Sequence, residues 1–267
     1  MLRSRLIPCL LVKDNGLVKT VRFDSPKYVG DPLNAVRIFN EKEVDELMVL
    51  DIDASVRARE PDYALIKKLA AECRMPLCYG GGVTAVEQAE RIVSLGVEKV
   101  AISSQAIERP ELVSRMADAV GTQSVVVVLD VRKSASGRYE IWTHNGTKAT
   151  GRVPAAFAAD MERAGAGEIV VNSIDNDGTM SGYDLMLIRS VYERVNVPVT
   201  ALGGAGSLRH VEELIDAFGI IGAAAGSLFV FKGIYRAVLI NYPARAQKDA
   251  VVKPRETAAA HAAHARA

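Results

Sequence analysis

Short apolar runs alternate with amphipathic segments along most of the chain. Apolar runs of this kind, rich in Val, Ile, Leu and Ala, are typical of strands buried on both faces of a parallel sheet. The candidate strands are residues 6–12, 46–50, 76–80, 99–102, 124–130, 168–172, 198–201 and 219–223. Apolar residues at helical spacing lie between most of them, at 61–71, 86–95, 110–119 and 155–164. The pattern therefore predicts repeated strand–helix units.

This order predicts an α/β fold, and specifically a (β/α)8 TIM barrel. A doubly wound open sheet is the alternative, because it is built from the same units. An internal repeat favours the barrel. Gly81 and Ser104 are 23 positions apart, as are Gly204 and Ser227. A chain made of two similar half-barrels of four strands each would close into a circle.

Two insertions interrupt the alternation of strands and helices, and the chain ends in a segment of different composition. Residues 13–31 are polar and rich in turn formers, which predicts a long loop that acts as a mobile lid. Residues 132–152 alternate in polarity and contain Asn145-Gly146, a hairpin turn signal. We assign residues 1–243 to the barrel. Residues 244–267 are rich in Ala, Lys and Arg, and we expect them to be a disordered tail.

Composition excludes several classes of function. The 33 basic and 32 acidic residues nearly cancel, and they form no basic stripe for nucleic acid and no polybasic block for a membrane. Three cysteines, at positions 9, 73 and 78, are an odd number without a Cys-x-x-Cys pair, which indicates reduced thiols and a cytoplasmic protein. No spacing of His, Cys and carboxylates predicts a metal site, and we expect no cofactor.

Glycines and serines at the ends of predicted strands are candidate phosphate ligands. The loops that follow barrel strands commonly hold phosphate, where glycine lets the backbone approach the anion and serine adds a hydroxyl donor. A simple tight turn is the alternative for any one of them, but two copies at equal spacing favour two phosphate sites. The candidates are Gly81, Gly82, Ser103, Ser104, Gly203, Gly204, Gly226 and Ser227.

Carboxylates at strand ends are candidates for proton transfer. Asp130 follows five consecutive aliphatic residues, so it would lie partly desolvated at the mouth of the barrel, where a general acid or base is expected. Asp51, Asp53, Asp175 and Asp177 are placed similarly. Helix capping or turn formation is a strong alternative for these four.

Four charged residues stand at the opposite, N-terminal ends of predicted strands: Arg5, Glu46, Lys99 and Glu168. Taken alone, they would be solvated surface residues.

Eight segments together match one known family: residues 5–10, 45–47, 50–52, 80–82, 165–168, 173–179, 181–184 and 203–206. They resemble the HisF family, the cyclase subunit of imidazole glycerol phosphate synthase, and the resemblance runs from residue 1 to about residue 243. The resemblance implies a (β/α)8 barrel that pairs with a glutaminase subunit at its N-terminal face. Ammonia from the glutaminase would pass through the barrel and convert a bisphosphate ribulosyl-aminoimidazole to imidazole glycerol phosphate and an aminoimidazole carboxamide ribotide.

The resemblance also implies roles for individual residues. It gives Asp130 the acid/base role, with Asp177 assisting, and it supports both phosphate sites. Lys19 matches the lysine of the family's mobile first loop, which contacts substrate phosphate. Arg5, Glu46, Lys99 and Glu168 match the charged ring at the family's ammonia entrance. Residues Glu98, Lys99 and Gln123 are expected on the face that docks the glutaminase.

Departures from the family pattern lead to a second hypothesis. Leu11 stands where the family has its second catalytic aspartate, and leucine cannot exchange protons. Thr20 replaces the loop glycine, and Ser103-Ser104 replace an Asn-Thr pair. This is similar to a branch linked to surface-polysaccharide synthesis, in which the barrel is expected to pass ammonia to an amidotransferase that makes an acetamidino sugar. A phosphosugar isomerase barrel is the third reading, and it leaves the charged entrance unexplained.

Overall fold

The computed structural model describes residues 3–252. Its strands are β1 (Arg5–Lys13), β2 (Gly16–Val21), β3 (Asp24–Gly30), β4 (Leu47–Asp51), β5 (Leu77–Gly80), β6 (Lys99–Ile102), β7 (Val125–Lys133), β8 (Tyr139–Thr143), β9 (Lys148–Ala149), β10 (Glu168–Ser173), β11 (Val199–Leu202), β12 (Gly222–Ala225), β13 (Phe231–Lys232) and β14 (Ala237–Val238).

Eight of these strands form a closed parallel barrel. They follow one another in the order β1, β4, β5, β6, β7, β10, β11 and β12, and β12 pairs with β1. The pairing of β7 with β10 joins the two halves of the circle. The (β/α)8 prediction is therefore confirmed.

Ten helices lie within the described part of the chain: α1 (Pro32–Glu41), α2 (Tyr63–Glu72), α3 (Val86–Ser94), α4 (Ser104–Glu108), α5 (Glu111–Val120), α6 (Pro154–Arg163), α7 (Leu185–Tyr192), α8 (Leu208–Phe218), α9 (Ser227–Val230) and α10 (Arg245–Val252). Side chains at Asp31, Asp62, Asp184 and Ser207 cap the starts of α1, α2, α7 and α8 by accepting backbone N–H bonds. None of the helices in residues 3–252 is long and apolar enough to cross a bilayer.

All eight predicted barrel strands are present, but the last one is displaced. It begins at Gly222 rather than Gly219, because Gly219 ends α8 with a φ of 72°. Aliphatic side chains on the outer faces of the strands pack against the helices and form the main core. A second cluster of aliphatic and sulfur-containing side chains fills the inside of the barrel.

The insertion after β1, predicted as a long loop, forms a β-hairpin, and its role as a mobile lid stays a prediction. β2 pairs antiparallel with both β1 and β3. Most of β3 is exposed, so it owes its shape to strand pairing rather than burial. The predicted hairpin after β7 is present, since β7, β8 and β9 pair antiparallel in succession. Its turn places His144, Asn145 and Gly146 at positive φ, which Asn and Gly tolerate best.

The strands of the two half-barrels are equivalent, but the glycines align differently from the alignment predicted from sequence spacing. Leu50 lies beside Gly80 on neighbouring strands, and Asn172 lies beside Leu202 in the other half. Gly81 is therefore equivalent to Gly203, not Gly204. A β-carbon at Gly81 would lie 2.4 Å from Asp51 O, and one at Gly203 would lie 2.6 Å from Ser173 O. Both glycines are required because the chain passes so close to the preceding strand end.

The C-terminal segment contradicts the predicted disorder over residues 245–252. These residues form α10, which buries Val251 and Val252. Lys248 is also buried, and its Nζ lies 2.8 Å from Asp45 Oδ1. A lysine has a long aliphatic stem, so it can cover apolar surface while its amine reaches a carboxylate. The remainder of the predicted tail, residues 253–267, lies outside the described residues.

Candidate active site

A cavity of 140 Å³ opens at the carboxyl ends of the barrel strands. Its walls come from both half-barrels and from the two hairpins that follow β1 and β7. Predicted site residues that line it are Lys19, Gly81, Gly82, Ser103, Ser104, Asp130, Asp177 and Gly226. Leu11, Thr20, Phe23, Leu50, Asp51, His144, Asn145, Asn172 and Leu202 also contribute.

Asp130 lies on β7 with its carboxylate facing this cavity. Asn172 Nδ2 donates a hydrogen bond to Asp130 Oδ1 over 2.8 Å, and Ser103 Oγ donates to Oδ2 over 3.3 Å. Burial raises the pKa of Asp130 from 3.8 to about 6; the two hydrogen bonds oppose this shift, and the charge of Asp177 adds to it. A carboxyl group with this pKa can exchange protons near neutral pH, as a general acid or base must.

The strand register places Leu11 where a partner for Asp130 would be expected. Asp130 lies beside Asn172 on β7 and β10, and Leu11 lies beside Leu50 on β1 and β4. These are equivalent strand pairs of the two half-barrels. One half therefore presents an acid and an amide to the cavity, and the other half presents two leucines.

Asp51, Asp53 and Asp175 make contacts that stabilise the loops in which they lie. Asp51 Oδ1 accepts the backbone N–H groups of Asp53 and Ala54, each over 3.0 Å, and shapes the turn after β4. Asp53 pairs with Arg57 over 2.9 Å and does not line the cavity. Asp175 Oδ2 accepts the N–H of Lys133 over 2.8 Å. Asp51 therefore fits the turn-forming alternative, while Asp53 makes an ion pair and Asp175 binds the end of β7.

The β2–β3 hairpin is folded down onto the loop after β10. Lys19 Nζ lies 2.6 Å from Asp177 Oδ1, and Thr20 Oγ1 donates to Asp177 Oδ2 over 2.8 Å. A β-carbon at Gly178 would lie 2.2 Å from Thr20 O, so only glycine permits this approach. Asp177 thus holds two of the hairpin side chains that line the cavity.

Three of the predicted phosphate ligands lie outside the cavity wall. Gly203 and Gly204 pack against backbone atoms of Ser173 and Gly182. Ser227 is buried at the start of α9, and its Oγ has no hydrogen-bond partner within residues 3–252. Gly226 lies beside Lys19, whose Cε would be 2.9 Å from a β-carbon there. The phosphate role of all nine residues, Lys19 included, stays a prediction.

The four charged residues at the other end of the barrel form a closed ring. Arg5 pairs with Glu46 and, over 2.8 Å, with Glu168. Lys99 Nζ bridges the same two carboxylates over 2.8 Å each. Burial disfavours the charged forms, but the opposite charges outweigh it, so the pKa of Lys99 is raised and that of Glu168 is lowered. Thr200 Oγ1 also donates to Glu168 over 2.5 Å.

The barrel interior between the ring and the cavity is lined by small and aliphatic side chains. The cluster consists of Ile7, Cys9, Met48, Cys78, Ala101, Val126, Val128, Val170, Leu202 and Ala224, with Leu11 and Leu50 beside it. Strand β10 contributes one residue each to the ring, the apolar interior and the cavity: Glu168, Val170 and Asn172. These are every second residue of the strand, so they point to the same side. Ring, apolar interior and cavity are therefore stacked along the barrel axis.

Comparison with known proteins identifies the family. The family model described as "Histidine biosynthesis protein" matches residues 5–235. A relative from Leptospira borgpetersenii is 57% identical over 252 residues, covering 94% of this chain and 99% of the relative. It is provisionally named as imidazole glycerol phosphate synthase subunit HisF. The chain belongs to the HisF-type histidine biosynthesis proteins.

Two further HisF-type relatives carry numbered names. The protein from Vibrio vulnificus, provisionally named subunit hisF3, is 56% identical over 249 residues, covering 93% of this chain and 96% of its own length. The protein from Pseudomonas aeruginosa, provisionally named subunit hisF2, is 54% identical over 243 residues, covering 91% and 97%. The resemblance described from the sequence is confirmed at the level of the family.

Several cavity residues of this HisF-type barrel were not predicted from the sequence. Asn172 is the clearest case, and the alternation of β10 from Glu168 would have placed it inside the barrel. His144 is a second case; its Nδ1 lies 3.1 Å from Thr143 Oγ1, and its backbone N–H donates to Ser104 Oγ over 3.4 Å. Across residues 3–252 no group of three or more His, Cys, Asp or Glu is arranged to hold a metal ion.

Proposed function

We propose that the chain is the barrel subunit of an imidazole glycerol phosphate synthase and acts as an ammonia-dependent lyase and cyclase. It would convert the bisphosphate ribulosyl-aminoimidazole to imidazole glycerol phosphate and the aminoimidazole carboxamide ribotide. The observation that carries this proposal is the stacking of the charged ring, the apolar interior and the Asp130 cavity in one barrel. Ammonia is small and uncharged, so an apolar interior admits it while excluding ions.

A glutaminase subunit would dock on the N-terminal face and supply the ammonia. The ring of Arg5, Glu46, Lys99 and Glu168 opens on this face and would form the entrance. A hollow of 400 Å³ beside Arg5, walled by the segment before β4 and by α10, offers a surface for the partner. The names of the relatives, which call them subunits, support a heterodimer.

The two phosphates of the substrate would bind at opposite sides of the cavity. Gly81 and Gly82 with Ser103 and Ser104 would hold one phosphate through backbone N–H groups and hydroxyls. Gly203, Gly204, Gly226 and Ser227 would hold the other, together with Lys19. The Oγ of Ser227, which has no hydrogen-bond partner among residues 3–252, supports this second site, because a buried hydroxyl without a partner is costly. Lys19 would exchange Asp177 for phosphate as the hairpin opens and closes.

Proton transfer would rest on Asp130. Its pKa of about 6 leaves it ionised at neutral pH, so it can accept a proton during ammonia addition and return it during cleavage. Asp177 would assist by holding Lys19 and Thr20 at the mouth. The unpaired thiols of Cys9, Cys73 and Cys78 support a cytoplasmic location.

A second candidate function is favoured by the Leu11–Leu50 pair. With no acid opposite Asp130, the barrel would conduct ammonia without completing the cyclase reaction. It would then pass the ammonia to a partner amidotransferase that makes an acetamidino sugar for surface polysaccharide, such as O-antigen. The numbered names of two relatives support this reading, because they suggest HisF-type subunits beyond a first one.

Turnover of the bisphosphate substrate by the purified chain tests the proposal. Ammonium salt at alkaline pH replaces the glutaminase, so the assay isolates the chemistry of the barrel. Turnover that disappears in Asp130→Asn supports the lyase/cyclase. Absence of turnover, with the substrate still bound, contradicts it and favours the second candidate.

A further inference from the structure

Asn172 combines burial, a fixed orientation and an unused hydrogen-bond acceptor. Its side chain is only 5% exposed although it lines the cavity. Nδ2 donates to Asp130, while Oδ1 has no hydrogen-bond partner within residues 3–252. The reverse orientation of the amide would turn Oδ1 toward the carboxylate, which has no hydrogen to donate when ionised. Asp130 therefore fixes Asn172 with its carbonyl oxygen free.

A free acceptor at this depth calls for a ligand. An unpartnered buried carbonyl is costly, so each one in a native structure needs an explanation, and a bound molecule that donates to it is one. Gly203, directly after β11, has no side chain next to this oxygen, and a β-carbon there would lie only 3.0 Å from Oδ1. The space beside Oδ1 is therefore narrow. The ligand must be small and must donate N–H or O–H bonds.

The position of Asn172 indicates which ligand this is. Asn172 lies two residues beyond Val170 and four beyond Glu168, on the same face of β10. A small molecule that passes the ring and the apolar interior meets the Asn172–Asp130 pair where the interior ends at the cavity. Ammonia fits these requirements, because it is small and donates several N–H bonds.

We infer that Asn172 and Asp130 form a docking site for ammonia or ammonium at the inner end of the barrel interior. The carbonyl Oδ1 of Asn172 accepts one N–H bond, and the carboxylate of Asp130 accepts another. Leu11 and Leu50, the equivalent pair of the first half-barrel, offer neither bond, so the site exists on one side only. This inference rests on the proposed use of ammonia but holds for both candidate functions.

Ammonium binding can be measured without any turnover. The probe is the ¹³C carboxyl resonance of Asp130 in protein labelled at aspartate, assigned by its loss in Asp130→Asn. Ammonium chloride is titrated at constant ionic strength, with potassium chloride and tetramethylammonium chloride as controls. Tetramethylammonium carries the same charge but has no N–H to donate.

The matched variant is Asn172→Leu, which installs the residue found at the equivalent position 50. Asn172→Ala serves as a second, smaller variant that cannot overfill the site. A saturable shift is expected in the native chain with ammonium alone. In both variants the affinity for ammonium should fall at least about tenfold, which is the effect expected from losing one charge-assisted hydrogen bond. An equal affinity in a folded variant, or no response in the native chain, would overturn the inference.

The same samples separate this inference from the proposed function. Ammonium binding that depends on Asn172, in a chain that does not turn over the bisphosphate substrate, supports the docking site and contradicts the cyclase. Ammonium-driven turnover with an unchanged KM for ammonia in Asn172→Leu overturns the docking site and leaves the cyclase standing.

Discussion

Lys19 Nζ lies 2.6 Å from Asp177 Oδ1, and both side chains are buried. This ion pair joins the β2–β3 hairpin to the loop after β10 and holds the hairpin over the cavity. Substrate phosphate would compete with Asp177 for the same ammonium group. Opening of the hairpin would have to break this ion pair and the Thr20–Asp177 hydrogen bond beside it.

Lys19→Met should loosen the hairpin. Removing one partner of a buried ion pair leaves the other charge unpaired and typically costs about 3–5 kcal/mol. We expect faster hydrogen exchange across residues 16–30, with the barrel strands unchanged. Lys68→Met, which removes an exposed lysine from α2, is the matched control. Native exchange rates at residues 16–30 in Lys19→Met would show that the pair does not hold the hairpin.

Asp130 should make the free energy of unfolding depend on pH between about 4 and 6. Its pKa is raised in the folded chain, so the folded state binds more protons than the unfolded state in this range. Stability therefore falls as pH rises through the window, by an amount on the order of 1–3 kcal/mol. Asp130→Asn should gain in Tm relative to the native chain as pH increases from 4 to 7.

The control for this experiment is Asp118→Asn, an exposed aspartate on α5. It removes one carboxylate from the surface, and the Tm profile of Asp130→Asn is compared with that of this variant across the same range. A flat difference for Asp130→Asn would mean that its carboxyl group is not desolvated in the fold.

Lys99 should control the supply of ammonia from the glutaminase. In Lys99→Glu the four ring positions would hold three carboxylates and one cation, Arg5. The entrance must therefore rearrange. We expect glutamine-driven turnover, or ammonia transfer to an acceptor, to fall while ammonium-driven turnover is kept. Lys68→Glu makes the same charge change on the outside of the barrel. Glutamine-driven turnover that survives Lys99→Glu would contradict the entrance assignment.

Helix α10 should stabilise the barrel. It buries Val251 and Val252 and pairs Lys248 with Asp45, whose Oδ2 also accepts the N–H of Leu6. A chain ending at residue 243 should unfold at lower urea concentration than one ending at residue 252. Burial of two valines alone is worth about 3–6 kcal/mol. Equal midpoints would mean that α10 contributes no stability.

The sequence revealed the barrel strands because they are continuous aliphatic runs, and burial on both faces demands that composition. It did not reveal β2 or β3, and β3 in particular is held by pairing with β2 and needs no apolar pattern. Spacing alone also misaligned Gly81 with Gly204. The second half is one residue longer between its glycines and its serine, and counting cannot locate such an insertion.

The candidate site was predictable where its chemistry depends on single residues. Asp130 stood out because an acid after five aliphatic residues is unusual, and Leu11 stood out against the family pattern. The alternation of β10 from Glu168 indicates that Asn172 faces the barrel interior, but only the strand register sets it beside Asp130. The Lys19–Asp177 contact joins residues 158 positions apart, so only the fold brings them together.

The central claim is tested most directly by comparing turnover by the native chain and by Leu11→Asp in the ammonium-driven assay. The claim is that this barrel carries out ammonia-dependent chemistry with Asp130 as its acid/base group. We predict measurable turnover by the native chain, little changed in Leu11→Asp and abolished in Asp130→Asn. No turnover by the native chain, together with turnover by Leu11→Asp, would contradict the claim. It would mean that Leu11 has removed the reaction while the charged ring and the interior remain.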